Sequence, residues 1–273
     1  MPKTALMCPP LFFDVREAKN PHMGRPIDRA LAHQQWECLR RALEDAGLKV
    51  EIIDPVEDLE DMVFAANQAF VGHHSEIGNF IVPSHMRYAS RHKEVEFFVD
   101  WFRLRGYKII DLDLDGEHLE GHGDLLWHPD HSQIWAAYGF RSTRGGVEKF
   151  ASAMEKLGFP VIPLQLVDEH CYHLDTCLCP LNSDAVLIYP GAFSPESLGK
   201  IRGSWKRVHE LTRDEALHFL GNGIVVNGRF ITARLTPNLE QVLAHEGLMP
   251  VVVDTSAFEK SGGSVFCMKA FIE

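Results

Sequence analysis

The feature that most constrains the fold is a repeated order of elements, in which an amphipathic helix, a glycine and a short apolar strand follow one another. Four copies are clear, and their helices, glycines and strands are 29–46, Gly47 and 48–53; 94–105, Gly106 and 107–110; 147–157, Gly158 and 159–162; and 238–246, Gly247 and 248–253. A weaker copy over about 173–211 has an apolar strand at 184–189 and a helix at 196–202. Repeats of this length indicate a fold built from similar modules.

Pairs of short apolar strands precede three of these helices. The pairs are 62–71 with 79–82, 124–127 with 133–137, and 224–227 with 229–232. A barrel of alternating strands and helices needs one strand per helix, so this order does not suit it. The sequence predicts an α/β ring of five ββαβ-like modules, closed around a central site that loops of several modules line. We expect a single domain over residues 1–273.

Charge and composition exclude several classes of protein. The net charge of -11 and the lack of a basic run disfavour a nucleic-acid partner, whose binding depends on cations. The N-terminus has no secretory signal, and no apolar stretch approaches the ~20 residues that span a bilayer. Six cysteines without such a signal are typical of free thiols in a reducing compartment. We expect a cytoplasmic enzyme with a small-molecule substrate and no membrane or nucleic-acid partner; homo-oligomerisation stays open.

The C-terminal tail carries one candidate nucleophile. Gly262 and Gly263 lead into an apolar run that contains Cys267, and the run 265–272 reads as one buried strand. Glycines allow the backbone to approach a ligand closely. A cysteine in such a run is either a buried apolar residue or a reactive thiol. The tail alone does not decide between the two.

A second candidate segment is 170–179, which reads as extended. His173 and Asp175 would then share one face and offer an acid/base group beside a carboxylate. The alternative is a zinc site, since four soft ligands lie within this segment: Cys171, His173, Cys177 and Cys179. Zinc sites favour pairs of ligands separated by a loop, and no second pair lies nearby. We therefore expect no metal, and a structural role for some of these thiols.

Two further stretches carry polar residues at strand edges. Asn67 ends the run 63–67, and Glu120 opens a glycine-containing segment that ends at Asp124. An amide oxygen accepts a hydrogen bond without carrying charge. A fixed carboxylate beside a nucleophile can hold a cationic substrate and orient a histidine.

Taken in order, four sequence features resemble the signature of the guanidino-group-modifying enzymes: Asn67, 120–124, 173–176, and the glycines before Cys267. The family includes arginine deiminases, amidinotransferases, dimethylarginine dimethylaminohydrolases and arginine dihydrolases. The resemblance covers essentially the whole chain. It implies a five-module, pseudo-symmetric β/α propeller, the pentein fold, with a central active site and no organic cofactor.

The resemblance also implies roles for the residues that match. Cys267 would attack the guanidinium carbon and form a covalent thiouronium. His173 would protonate the leaving nitrogen and then activate water, and Glu120 would grip the guanidinium and orient His173. Asp175 matches a carboxylate that deiminases and amidinotransferases place on the guanidinium, and dimethylarginine hydrolases often lack it.

Asn67 distinguishes this chain within the family, because most deiminases and dimethylarginine hydrolases resemble one another in having aspartate there. Arginine dihydrolases have asparagine, and they share an Asn-Pro-x-Met motif, here 20–23, whose Asn20 is implicated in the site. The chain is most similar to this branch, which implies an enzyme that gives ornithine, carbon dioxide and ammonia. Single-step deiminases, dimethylarginine hydrolases, amidinotransferases and an inactive binding protein remain alternatives.

The α-carboxylate of an amino-acid substrate needs a cation. Five basic residues lie near the strands that would border the site: Arg87, Arg91, His92, Arg229 and Arg234. Most of them are expected to be solvated surface residues, and we favour Arg91.

Overall fold

The computed structural model describes residues 3–24 and 26–272, and the predicted domain of 1–273 extends beyond them at positions 1, 2, 25 and 273. Fifteen strands occur in the described residues: β1 (Thr4–Met7), β2 (Lys49–Ile52), β3 (Ala69–His74), β4 (Gly78–Pro83), β5 (Lys108–Ile109), β6 (Leu125–Trp127), β7 (Ile134–Tyr138), β8 (Val161–Gln165), β9 (Leu178–Asn182), β10 (Ala185–Ile188), β11 (Arg207–Glu210), β12 (Ile224–Val226), β13 (Arg229–Thr232), β14 (Met249–Val252) and β15 (Ala270–Ile272). The same residues contain eight α-helices: α1 (Arg29–Asp45), α2 (His92–Leu104), α3 (Gly121–Asp124), α4 (Arg144–Glu155), α5 (Pro195–Ser204), α6 (Arg213–Leu217), α7 (Pro237–His245) and α8 (Ser256–Glu259).

The strands form five separate three-stranded sheets with the same topology. In four of them, the central strand pairs antiparallel with the strand before it and parallel with the strand after it, as in β4 with β3 and β5, and in the fifth the antiparallel partner is β15. One long helix crosses between the parallel pair in every module: α1, α2, α4, α5 or α7. The predicted ring of five ββαβ modules is confirmed. The weak fourth copy is a complete module with β9, β10, α5 and β11.

Local sequence explains where the helices begin and end. Asp28 caps α1 by accepting a hydrogen bond from the amide of Leu31, and Thr143, Ser194 and Thr236 cap α4, α5 and α7 in the same way. The four glycines that follow predicted helices all have positive φ, between 67° and 92°. Glycine adopts this left-handed backbone without steric cost, so it stops each helix and turns the chain into the next strand.

The first module takes its first strand from the other end of the chain. β15 pairs antiparallel with β1, and β1 pairs parallel with β2. The predicted strand over 265–272 is therefore wrong in its first half. Residues 265–268 form a turn, in which the amide of Phe266 bonds to the carbonyl of Asn222 instead of to a neighbouring strand.

Two other predicted extended segments contain 3₁₀ turns. Ala65–Gln68 is a 3₁₀ helix, and β3 begins only at Ala69. The segment 170–179 has two such turns, Glu169–Cys171 and Leu174–Thr176, before β9. Local backbone hydrogen bonds, such as that from the amide of Cys177 to the carbonyl of Leu174, replace those of a sheet. Both segments carry small or polar residues, which favour turns over strands.

The first strands of the five modules surround one axis. Residues of β3, β6, β9, β12 and β15 line a common cavity. The candidate residues of the sequence lie just before these strands: Asn67 before β3, Glu120 before β6, Asp175 before β9 and Cys267 before β15. The module topology thus brings four distant segments to the same end of the axis. Within the described residues, no helix is long and apolar enough to cross a membrane.

Replacement of Leu6 tests whether the packing between β1 and β15 stabilises the closed ring. It is fully buried in β1, in the apolar cluster that also contains Ala270 and Ile272 of β15. We expect Leu6→Ala to reduce the free energy of unfolding by about 2–5 kcal/mol, because it leaves a cavity. Leu104→Ala is the matched control, since Leu104 is 86% exposed and its loss should change stability little. Chemical denaturation of both variants measures the difference, and equal losses would contradict a packed closure.

Candidate active site

Cys267 lies in a buried corner between an amide and a carboxylate. Its Sγ is 3.1 Å from Oδ2 of Asp175 and 3.2 Å from Nδ2 of Asn222. Asn222 also accepts the amide hydrogens of Phe266 and Cys267 at its Oδ1 and donates to the carbonyl oxygen of Asp175. One asparagine therefore fixes both the thiol and the carboxylate segment.

This corner disfavours ionisation of the thiol. Burial raises the pKa of the Cys267 thiol well above its ordinary value, and the negative charge of Asp175 raises it further. Burial also raises the pKa of Asp175 to about 7. A cation placed beside the two groups would favour their charged forms. The corner is therefore arranged for a positively charged ligand.

His173 is held by a buried carboxylate. Its Nε2 lies 2.8 Å from Oε2 of Glu120, and Arg141 donates to the same oxygen at 2.9 Å. A carboxylate only accepts here, so Nε2 carries the proton and Nδ1 is left for acid/base chemistry. Burial raises the pKa of Glu120, but the charge of Arg141 and the hydrogen bond of His173 outweigh it and hold that pKa well below the usual range.

Asp124 connects the segments that carry Glu120 and His173. Its Oδ1 accepts the amide hydrogen of Leu174, and its Oδ2 accepts from the amide and hydroxyl of Ser142. Ser142 in turn receives the amide hydrogen of Glu120 at its Oγ. Asp124 therefore has a positioning role in this geometry.

Asn67 is oriented by a buried network of charges. Nη1 of Arg91 donates to its Oδ1 at 3.2 Å, and Nδ2 lies on the side of Gly123, where an added Cβ would be 2.5 Å from it. Arg91 also pairs with Glu94 at 3.0 Å, and Lys19 pairs with Asp61 at 3.0 Å. All five side chains are almost fully buried. The paired charges hold the amide of Asn67 in one orientation.

Several buried polar atoms at this end of the axis make no hydrogen bond within the described chain. They are Oδ1 of Asp61, Nδ2 of Asn67, Oδ1 of Asp175 and Oγ of Ser261. An unpaired buried polar atom is costly, so few occur without a reason. Asp61, Asn67 and Ser261 line the cavity next to Cys267. A ligand that satisfied these atoms would offer N–H donors to the two carboxylates and an acceptor to Nδ2 of Asn67.

The cavity itself is nearly closed. Its free volume of about 10 Å³ is that of roughly one water molecule. Residues 18–24 cover it: Asn20 donates to the carbonyl of Ser261, and the amide of Gly24 donates to the carbonyl of Lys260. Met23 also lines the cavity. A ligand larger than water does not fit the cavity in this conformation.

Comparison with known proteins places the chain in a family. The model of the family described as N,N dimethylarginine dimethylhydrolase, eukaryotic, matches residues 18–272. The chain belongs to this family. It is a guanidino-group-modifying hydrolase, and the predictions of an enzyme acting on amidine C–N bonds and of the pentein fold are confirmed.

Similar proteins include enzymes of two kinds. The bifunctional arginine dihydrolase/ornithine cyclodeaminase AgrE of Nostoc sp. is 32% identical over 96% of this chain, which spans only 37% of the length of AgrE. The dimethylarginine dimethylaminohydrolase of Mycobacterium tuberculosis is 32% identical over 96% of this chain and 83% of its own. A structure of the N-terminal domain of ArgZ, a cyanobacterial arginine dihydrolase, was solved with bound substrate. It superposes on this chain with a TM-score of 0.91 at 31% sequence identity, and the match covers 98% of this chain and 97% of that domain.

The structure brings the residues predicted for the site into one place. Asn20, Asn67, Arg91, His173 and Cys267 line the cavity. Glu120 and Asp175 contact His173 and Cys267 directly. The four ligands of the alternative zinc site are not arranged around a metal, because Cys177 donates to backbone carbonyls and Cys179 donates to the carbonyl of Gly223. In the described residues, one group has metal-ligand spacing, and it lies elsewhere: His209, His245 and Glu246.

Sequence reasoning missed several residues of the site. Two of the basic residues that it named, most of which it expected to be solvated surface residues, do not line the cavity. Arg229 and Arg234 bond instead to Asp45 and Glu259. Asn222 could have been found from the sequence, because the run 221–226 repeats the run 66–71. Asn222 therefore has the same position in its module as Asn67 has in another. Asp61 and Arg141 gave no local signal, since neither belongs to a motif.

Gly123 provides a test of this geometry. A Cβ at this position would lie 2.5 Å from Nδ2 of Asn67 and 3.1 Å from Nδ1 of His173. We expect Gly123→Ala to lower turnover of a guanidino substrate by about 100-fold, because small displacements in a site are costly. Gly199→Ala is the control: its Cβ meets open space, and activity should be retained. Ammonia release by both variants gives the result, and an active Gly123→Ala enzyme would contradict the close packing.

The charge of Asp175 gives a second test, on the free protein. Its carboxylate raises the pKa of the Cys267 thiol, so Asp175→Asn should lower that pKa and increase the thiolate fraction at pH 8. We expect faster alkylation of Cys267 by iodoacetamide, followed by peptide mass spectrometry. Cys38 is exposed and serves as the internal reference. An unchanged or slower rate at Cys267, relative to Cys38, would show that Asp175 does not control the thiol.

Proposed function

We propose that the protein is an arginine dihydrolase, which converts free L-arginine and two water molecules into ornithine, carbon dioxide and two molecules of ammonia. The orientation of Asn67 supports this proposal most directly. Its Oδ1 is committed to Arg91, so its Nδ2 is the atom presented to the ligand. A guanidinium has only N–H donors and cannot accept from Nδ2. The carbonyl of a ureido compound can accept, and it forms only after the first ammonia has left.

The unpaired atoms suggest how arginine binds. Asp175 lies beside Cys267, so its free Oδ1 would accept from the guanidinium. The opposite end of the substrate carries an α-ammonium and an α-carboxylate. Asp61 would accept from the former, while Arg91 and Arg141, both lining the cavity, would bind the latter. Arg141 lies over the rings of Tyr88 and Tyr172, which hold its guanidinium in place.

The bound cation would activate the nucleophile. In the free protein the thiol is protonated at neutral pH, and the positive guanidinium beside it favours the thiolate. Neutral His173 takes the thiol proton as the sulfur bonds to the guanidinium carbon. Protonated His173 then gives that proton to the leaving nitrogen, ammonia departs as the C–N bond breaks, and a thiouronium joined to Cys267 remains.

Water completes the first half of the reaction. Neutral His173 takes a proton from a water molecule as its oxygen bonds to the thiouronium carbon, and the C–S bond breaks. The products are the thiolate, protonated His173 and a neutral ureido compound, and the second proton of this step is released to solvent. Its carbonyl oxygen would accept from Nδ2 of Asn67, which retains it in the site and polarises its carbon.

The second half repeats the same chemistry. Cys267 attacks the ureido carbon, His173 protonates the second leaving nitrogen, and a thiocarbamate forms with release of ammonia. Hydrolysis of the thiocarbamate gives a carbamate of ornithine, which loses carbon dioxide. His173 is the acid and base of this scheme, Cys267 supplies the sulfur nucleophile, and water is the nucleophile of each hydrolysis. All six cysteines are free thiols, so we expect the enzyme in a reducing compartment such as the cytoplasm.

Product analysis tests the proposal. Wild-type protein incubated with L-arginine should give ornithine and two ammonia per arginine. Asn67→Asp replaces the donor with a carboxylate of the same shape, so we expect release of citrulline with one ammonia. Cys267→Ser should lose turnover in both steps. Citrulline as the wild-type product would contradict the dihydrolase assignment and indicate a deiminase.

A methylarginine hydrolase is the second candidate. It is favoured by the matching family model and by the similarity to the Mycobacterium tuberculosis enzyme. Incubation with asymmetric dimethylarginine separates the two. Release of dimethylamine, with no turnover of arginine, would support this second candidate in place of the first.

A further inference from the structure

A cluster of two imidazoles and one carboxylate joins the fourth and fifth modules. His209 belongs to β11, His245 is the last residue of α7, and Glu246 follows that helix. The three ligand atoms that these side chains offer all lie within 4.8 Å of one another. None of the three side chains lines the cavity next to Cys267. A ligand of this cluster would therefore bind outside the proposed arginine site.

Both histidines face the same oxygen atom. Nε2 of His209 lies 2.7 Å from Oε1 of Glu246, and Nδ1 of His245 lies 3.1 Å from it. The centres of the two imidazole rings are 5.5 Å apart, and the ring planes are inclined by 67°. The two nitrogens therefore converge on one point beside the carboxylate.

The carboxylate of Glu246 is held in place without the histidines. Arg207 donates from Nε to Oε1 at 2.8 Å and from Nη2 to Oε2 at 2.9 Å, and Nδ2 of Asn182 donates to Oε2 at 2.9 Å. Oε1 thus faces three N–H donors with two lone pairs, so the imidazoles exceed what it can accept. Carboxylates that bind a metal are themselves oriented by such hydrogen bonds.

The distances suit zinc after small movements. Zinc binds imidazole nitrogen at about 2.0–2.1 Å and carboxylate oxygen at about 2.0–2.2 Å in a tetrahedron, which places neighbouring ligand atoms about 3.3–3.5 Å apart. The two nitrogen–oxygen distances need to widen by less than about 1 Å to reach this spacing. The side chain of His245 is 62% exposed and has room to turn. Imidazole ligands favour zinc over magnesium and calcium, which prefer oxygen.

The charges around the cluster favour a cation on balance. The hydrogen bond from Arg207 holds the pKa of Glu246 well below its ordinary value, so the carboxylate stays ionised. His245 and Glu246 also lie at the C-terminal end of α7, where the helix carries a partial negative charge. The charge of Arg207 opposes a cation, but its side chain is 38% exposed and solvent screens it.

We propose that His209, His245 and Glu246 form a binding site for one zinc ion. Nε2 of His209, Nδ1 of His245 and Oε1 of Glu246 are its protein ligands, and water takes the fourth position on the exposed side of His245. Each neutral imidazole carries its proton on the other ring nitrogen when zinc is bound, so its ligating nitrogen offers a lone pair. The ion links β11 to the end of α7 and stabilises the junction of the two modules.

Calorimetric titration with zinc chloride tests the site, on parent protein that carries Cys38→Ser and Cys267→Ser. These two changes remove the exposed thiol and the proposed nucleophile, which are alternative zinc ligands. We expect one zinc ion per chain, and an unfolding temperature raised by about 3–5 °C when free zinc is about one hundred times Kd. An excess of magnesium chloride should not weaken zinc binding.

Two ligand variants and a matched control locate the ion. His209→Ala and His245→Ala should each weaken zinc binding at least about tenfold. His245 is exposed, so its loss should leave the unfolding temperature without zinc at the parent value. His218→Ala is the control, because His218 is an exposed histidine at the end of α6 that bonds to the carbonyl of Asp214. It should bind zinc as the parent does.

Three results would overturn the proposal. The first is the lack of saturable zinc binding by the parent protein, and the second is equal competition by magnesium. The third is unchanged zinc binding in either His209→Ala or His245→Ala, which would reduce the cluster to a network of hydrogen bonds. None of these measurements depends on turnover, so the proposed reaction and the zinc site fail or stand separately.

Discussion

The shared direction of the five first strands determines what the rest of this molecule can do. Each of these strands is entered through a turn, and each turn delivers its polar residues to the same end of the axis. Asn67, Glu120, His173, Asn222 and Cys267 come from five different modules or module ends, yet they meet around one closed cavity and its immediate surroundings. No single module holds these residues together. Small changes in the packing of any module therefore change the distances between the side chains of the site.

Charge is the second constraint. Glu120 pairs with Arg141 and His173, and Arg91 pairs with Glu94. Asp175 and Cys267 lie instead in a buried corner that disfavours their negatively charged forms. Buried ion pairs add little net stability. Their value here is positional: they orient His173 and Asn67 before a ligand arrives. The unpaired atoms and the protonated thiol then make the site responsive to a cation rather than to any small molecule.

The sequence was sufficient for the module order, because helix periodicity and the glycine after each helix are local signals. Asp28, Gly47 and Gly158 illustrate this, since each acts within one turn of the chain. The turns before the strands were misjudged because their backbone partners are distant: Phe266 bonds to Asn222, and Ala66 bonds to Cys267. The placement of Arg141 beside Glu120 depends on the same long-range packing. Motif order predicted the polar residues that the fold brings together, and only the fold revealed their partners.

The pairing of β1 with β15 has a consequence for synthesis of the chain. β1 and its antiparallel partner β15 are far apart in the sequence, so the edge of β1 stays uncovered until β15 has been made. An open edge strand can pair with the wrong chain, and contacts between chain ends form slowly. Cys267 lies directly before β15 and is made at the same stage. A chain stalled before this point therefore exposes the edge of β1 and lacks the proposed nucleophile.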